Sequence, residues 1–321
     1  GGPLKKEDAM AMDKNMRHAM KAGRQQADEV LKFRARELRR RVNAVKRQPA
    51  AVRAARGPVM LAPKLIRAAG GPGSAGVLVA EGDSWFDYPL NDILRLLEDY
   101  HGYDVESVAH KGDRVEDMAY GSGQFEEFAR RLEKLLRQNI IPKAILLSGG
   151  GNDIAGEEFG MLINHALSPA AGLNEQVLSG VIDERIKFAY ITILSAITRI
   201  CEQRLNGPIK ILTHGYDYPV PDGRGFLGGW WILPGPWLEP GFRQKGYDDL
   251  SVRVNLAKRL IDRFNDMLKA IVALPEFAHV QHIDLRSTLS TGSNYKRDWA
   301  NELHPTFAGF KRVTERFAAA I

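Results

Sequence analysis

A few short polar clusters in this chain carry groups able to do proton and acyl chemistry. Ser84 stands in "EGDSWF", Gly112 in "HKGD", Asn152 in "GGGND" and His304 in "ELHP". A serine hydroxyl is a weak nucleophile until a neighbouring base takes its proton, and His304 is a suitable base. Attack on a carbonyl creates an oxyanion that needs fixed donors. The backbone N–H groups of Ser84 and Gly112 and the side-chain amide of Asn152 are the candidates. Removing one such donor typically raises the barrier by about 2.7–4 kcal/mol. Gly112 is expected to matter because a side chain there would obstruct the substrate oxygen.

These clusters follow apolar runs that read as strands. "GVLVAEG", "YDVESVAH", "PKAILLSGG", "PIKILTHG" and "AHVQHIDL" are short and continuously or nearly apolar, as parallel strands covered on both faces must be. Helical spacing separates them in "NDILRLLEDY", "QFEEFARRLEKLLRQ", a long stretch from about Glu175 to Gln203, "DDLSVRVNLAKRLIDRFNDMLKAIVAL" and the closing "PTFAGFKRVTERFAAAI". The alternation predicts an α/β fold with a doubly wound five-stranded sheet and helices on both faces. Such sheets bind ligands at the carboxyl ends of their strands, which is where Ser84, Gly112 and Asn152 fall.

In order and approximate spacing, "EGDSWF", Gly112, "GGGND" and "ELHP" resemble the four sequence blocks of the SGNH (GDSL-type) serine hydrolases. The resemblance covers about residues 76–321, apart from an insertion at 216–247. It implies a flavodoxin-like three-layer α/β/α sandwich, Ser84 as nucleophile, His304 as general base, and Ser84, Gly112 and Asn152 as oxyanion donors. It also implies hydrolysis of esters of lipids, acetylated sugars or acyl thioesters with no metal and no cofactor.

One block departs from that pattern. The acid that orients the histidine usually lies three residues before it, and here that position is Asn301. An amide can hold the imidazole by a hydrogen bond but cannot neutralise the imidazolium. Asn301 as a weaker orienter is favoured; Asp298 or Glu302 as the carboxylate, and a Ser–His dyad, are the alternatives.

Other chemistries find less support. "SGGGND" lacks the Lys-Ser/Thr of a phosphate-binding P-loop and the spacing of a dinucleotide fingerprint. His110, His214 and His282 share no ligand-like spacing with a carboxylate, so no metal is expected. The single cysteine, Cys201, lies in an apolar helical pattern and reads as core. The tryptophans point to substrate instead. Trp85 and Trp299 flank the proposed blocks, and Trp230, Trp231 and Trp237 lie in the Gly/Pro-rich insertion Tyr216 to Tyr247. Neither a helix nor a regular strand is expected to run through that insertion, which reads as an aromatic cover over a cleft. Trp85, Trp230, Trp231 and Trp237 are the candidate substrate contacts.

Charge divides the chain. Residues 1–70 carry 18 Lys and Arg against 6 Asp and Glu, while the remainder carries 27 against 33. The segment 8–56 reads as one or two basic amphipathic helices, and "AAGGPGSAG" as a linker. Two units follow: a basic helical extension over 1–70 and a hydrolase domain over 76–321. An anionic surface is a conceivable partner for 8–56; nucleic acid is not the expected one. The chain opens Gly-Gly-Pro without an apolar signal core, so a cytoplasmic location is the default expectation. The functional expectation is a serine esterase or lipase acting on an ester with an apolar part. The alternatives are a carbohydrate acetylesterase, or a catalytically weak binding or effector protein that uses the basic arm.

Overall fold

The computed structural model describes residues 13–47, 73–121, 123–228 and 234–321. The expected architecture is the one found. Strands β1 (Gly76–Glu81), β2 (Tyr103–Ser107) and β3 (Ala144–Leu147) are followed by a small antiparallel pair, β4 (Ile163–Asn164) and β5 (Gly172–Leu173), and then by β6 (Ile211–His214) and β7 (Val280–Ile283). The main sheet has the order β2-β1-β3-β6-β7, all neighbours parallel. This is the doubly wound 2-1-3-4-5 arrangement, with its switch point between β1 and β3. Ala144, Ile145, Leu146 and Leu147 of β3 are wholly buried, as a central strand with helices on both sides requires.

Helices α1 (Lys14–Lys46), α2 (Ile93–His101), α3 (Val115–Tyr120), α4 (Gln124–Arg137) and α5 (Gly151–Ile154) precede a long helical stretch. That stretch runs as α6 (Glu175–Leu178), a π-helical segment Ser179–Ile186, and α7 (Lys187–Leu205). Helices α8 (Glu239–Gln244), α9 (Leu250–Val272) and α10 (Phe307–Ala320) complete the chain. Helices α2 and α10 pack together on one face of the sheet; α3, α4 and α7 contact one another on the other. Helix α8 corrects one expectation, because it runs inside 216–247. Its Pro240 sits in the first helical turn, where a missing N–H costs nothing.

The basic arm is a single helix over its described part. Met16, Ala19, Met20, Ala27 and Val30 form a buried stripe against α7. At Gly23 an added Cβ would come within 2.1 Å of the Thr192 carbonyl oxygen, so only glycine lets the two helices cross this closely. Ion pairs extend the contact: Arg24 with Glu202, Asp28 with Arg199, and Arg34 with the fully buried Glu133. Arg36, Arg39, Arg40 and Arg41, further along the helix, are exposed. No described helix is long and apolar enough to cross a membrane.

Candidate active site

Strand β1 ends at Glu81, and the chain turns tightly, with Phe86 and Asp87 N–H groups bonding the Asp83 carbonyl. Asp83 is buried and holds this turn from within. Its Oδ1 accepts the Trp85 N–H (3.0 Å) and the Ser148 hydroxyl (2.7 Å), and its Oδ2 accepts the Tyr216 hydroxyl. The turn leaves Ser84 half-buried at the mouth of a cleft. The Tyr216 hydroxyl also accepts the Gly151 N–H at 3.0 Å. A single phenol therefore ties the turn bearing Ser84 to the turn bearing Asn152.

His304 lies just before α10. Its Nε2 is 2.8 Å from Ser84 Oγ and its Nδ1 is 3.1 Å from Asn301 Oδ1. That amide oxygen also accepts the backbone N–H groups of Leu303 (3.0 Å) and His304 (2.9 Å), while Asn301 Nδ2 donates to the Tyr88 hydroxyl (3.0 Å). These partners fix the amide's direction. Nδ1 must then carry the imidazole proton, which leaves the Nε2 lone pair facing the serine. Burial pushes the His304 pKa down to about 3, so the ring is a neutral proton acceptor.

The two alternative carboxylates are engaged elsewhere. Asp298 Oδ2 accepts the Ser290 N–H and pairs with Arg312. Glu302 accepts four backbone N–H groups, from Gly223, Trp237, Leu238 and Glu239. Neither bonds His304, and Asn301 does.

The Gly112 loop is held beside the serine turn by His110 N–H to Gly82 O (2.9 Å) and Lys111 N–H to Asp87 Oδ2 (3.1 Å). Among the described residues, neither Ser84 N–H nor Gly112 N–H donates a hydrogen bond within the protein. Asn152 Nδ2 donates one proton to the Asp113 carbonyl (2.9 Å), which orients the amide and leaves its second proton free. The backbone supplies a reason of its own for glycine at 112. A Cβ there would meet no atom within 4 Å, but φ is +92°, so it is the left-handed backbone that demands glycine.

The cleft beside Ser84 and His304 has a volume of about 570 Å³ including its open mouth. Ile154, Ala155, Leu238, Ala257, Leu260 and Ile261 make its walls, with Trp85 and Trp299 at the sides. Two carboxylates touch it. Asp83 is turned inward as described, and Asp217 accepts N–H groups of Tyr218, Ser287 and Leu289 and braces a loop. Trp85 is buried and presents only part of its ring to the cleft; its indole N–H bonds the Leu303 carbonyl (3.1 Å). Trp237 is half-buried and meets the His304 ring edge-on at 5.6 Å. Trp230 and Trp231 lie outside the described residues.

A second serine–histidine pair has a different character. Ser148 Oγ lies 2.8 Å from His214 Nε2, but both residues are completely buried and neither lines the cleft. Together with Asp83 they form an internal chain of hydrogen bonds under the turn bearing Ser84. Reading the sequence did not single out Tyr88, Asp83 or Tyr216 as site residues. Tyr88 lies in the same quoted run as Ser84, and its signal was the amide at 301, which needs a partner to orient it.

No family model and no curated protein matches the chain. Among solved structures it is similar to a lipase from a goat rumen metagenome, at 15% identity over 76% of this chain and 96% of that one, with a TM-score of 0.47. A catalytic mutant of an acetylxylan esterase from Geobacillus stearothermophilus matches at 15% identity over 77% and 94%, TM-score 0.39. An aryl esterase from M. smegmatis matches at 12% identity over 77% and 98%, TM-score 0.42.

Proposed function

We propose that this chain is an SGNH-type serine hydrolase that cleaves a carboxylic ester with an apolar acyl part. The observation that carries the reading is the relay Ser84 Oγ–His304 Nε2, with Nδ1–H on Asn301, at the mouth of an apolar cleft. Ser84 attacks the ester carbonyl while His304 takes its proton. Ser84 N–H, Gly112 N–H and the free Asn152 proton receive the oxyanion. Collapse breaks the bond to the alcohol, which leaves with the proton from His304. Water, deprotonated by the same imidazole, then attacks the acyl-enzyme, releasing the acid and restoring Ser84. The aliphatic walls support an acyl chain over an acetyl group, and no step calls on a metal or cofactor.

The test is hydrolysis of p-nitrophenyl esters from acetate to long chains by wild type and Ser84→Ala. Turnover lost in the variant and greatest at medium chain length is the expected result. A maximum at acetate would favour the acetylesterase reading. Equal turnover by both proteins would remove Ser84 from the mechanism. An inactive wild type that nevertheless binds anionic vesicles through the exposed arginines of α1 would favour the binding-protein reading.

A further inference from the structure

The relay lacks a feature that its chemistry calls for. When His304 takes the serine proton it becomes a cation in a buried site, and its Nδ1–H then points at an amide rather than a carboxylate. Among the described residues no carboxylate bonds the ring. Asp298 is occupied by Arg312, Glu302 by four backbone N–H groups, and Asp83 by Ser148, Trp85 and Tyr216. The group against the imidazole is Tyr88. Its ring lies nearly parallel to that of His304, with centroids 4.2 Å apart and an interplanar angle of 19°. Its hydroxyl accepts the Asn301 Nδ2–H at 3.0 Å. Trp237 meets the same imidazole edge-on.

We propose that Tyr88 is a positioning residue that does the work of the missing carboxylate in two parts. Its hydroxyl accepts the Asn301 Nδ2–H and so braces, from the far side, the amide whose oxygen the Leu303 and His304 N–H groups hold toward His304 Nδ1. Its ring gives the imidazolium an electron-rich face where no anion is available. The first part follows from geometry: two backbone N–H groups and Nδ1–H face the amide oxygen, and the Tyr88 hydroxyl is the acceptor that the opposite Nδ2–H finds. The second follows from the quadrupole of an aromatic face, which attracts a cation stacked within about 6 Å, and more strongly in a desolvated site. Burial raises the Tyr88 pKa, so the phenol stays neutral and keeps both roles across the working pH range.

This inference rests on Ser84 and His304 being the reacting pair, and the experiment separates the two claims. Turnover of p-nitrophenyl butyrate is measured for wild type, Ser84→Ala, Tyr88→Phe, Tyr88→Leu, Asn301→Asp and the double variant Asn301→Asp/Tyr88→Phe, with thermal melts as the check on folding. Tyr88→Phe keeps the ring and loses the amide's partner, so kcat falls roughly two- to tenfold with little change in KM. Tyr88→Leu loses the face as well, a further drop of roughly two- to thirtyfold. A carboxylate at 301 has no wrong orientation and bonds Nδ1–H on its own, so Tyr88→Phe costs a smaller factor in the Asn301→Asp background than in the wild type. Asn301→Asp also moves the acid limb of the kcat profile to higher pH. The titratable groups that share the cleft with the ring, Asp83, Asp217 and Tyr216, and those on its own loop, Asp298 and Glu302, are the same in each variant of the set. If Ser84→Ala is inactive while the Tyr88 variants match wild type, or if Tyr88→Phe costs the same factor in both backgrounds, the proposal is wrong and the relay stands. If Ser84→Ala is as active as wild type, the relay itself is wrong.

Discussion

Glu302 Oε2 accepts the backbone N–H of Trp237 at 2.7 Å, although 65 residues separate the two in the chain. The same carboxylate takes N–H groups from Leu238, Glu239 and Gly223, and so gathers two parts of the insertion beside the loop bearing His304. Hydrogen bonds to a charged acceptor contribute about 1.5–3 kcal/mol each. Glu302→Gln keeps the shape but offers one acceptor atom in place of two. The expected outcome is a loss of about 2–4 kcal/mol in urea unfolding, together with faster proteolysis within 223–239. A variant as stable as wild type would show that the four bonds contribute nothing net.

On the proposed mechanism the His304 pKa, pushed down to about 3 by burial, sets the acid side of the rate profile. The neutral imidazole is the base, so kcat/KM should hold nearly level well below pH 6 rather than break near the ordinary histidine value of about 6.5. The same burial makes stability depend on pH. The unfolded chain binds a proton near pH 6.5 and the folded one only near 3, so this residue's contribution is complete above 6.5 and is lost as pH falls toward 3. A pH–rate profile with its acid inflection at 6.5 would contradict the desolvated setting of the ring.

Ser148 and His214 form a pair that distance alone does not separate from Ser84 and His304, the pair proposed to react. Ser148→Ala removes a donor to Asp83 and a partner of His214, both buried, and should cost about 1–3 kcal/mol of stability. A fluorophosphonate should still attach at Ser84 in that variant, as peptide mapping would reveal. Label recovered on Ser148 in the wild type would reverse the assignment.

Ala257 of α9 is one of the two alanines that line the apolar cleft. Ala257→Phe fills that space and should shift preference toward shorter p-nitrophenyl esters. A roughly tenfold change in the ratio of kcat/KM for octanoate over acetate corresponds to about 1.4 kcal/mol, within the range for burying two methylenes. An unchanged ratio would mean that the acyl chain lies elsewhere.

What could be read in advance, and what could not, follows the range of the interactions. The five strands of the main sheet, their alternation with helices and the positions of Ser84, Gly112 and Asn152 after strands are written in local apolar runs and were legible; the short β4–β5 pair was not. The choice among Asn301, Asp298 and Glu302 was not, because Glu302 is engaged by residues 223 and 237–239 and Asp298 by residues 290 and 312. The Tyr88–Asn301 bond spans 213 residues and the Tyr216–Asp83 bond 133. Helix α8 escaped notice because "EPGFRQ" contains both residues that usually break helices, and its proline falls in the one turn that tolerates it.

The crossing of α1 over α7 at Gly23 bears on how the polypeptide could be divided. The segment 14–46 supplies a buried stripe and three cross-helix ion pairs, so the body beginning at Gly76 is short of one covering layer without it. Expressed alone, that body would present a bare helix face to water and self-associate. Supplied with 14–46 as a free peptide, it should regain its cover, making the two pieces a complementation pair whose reassembly can be titrated.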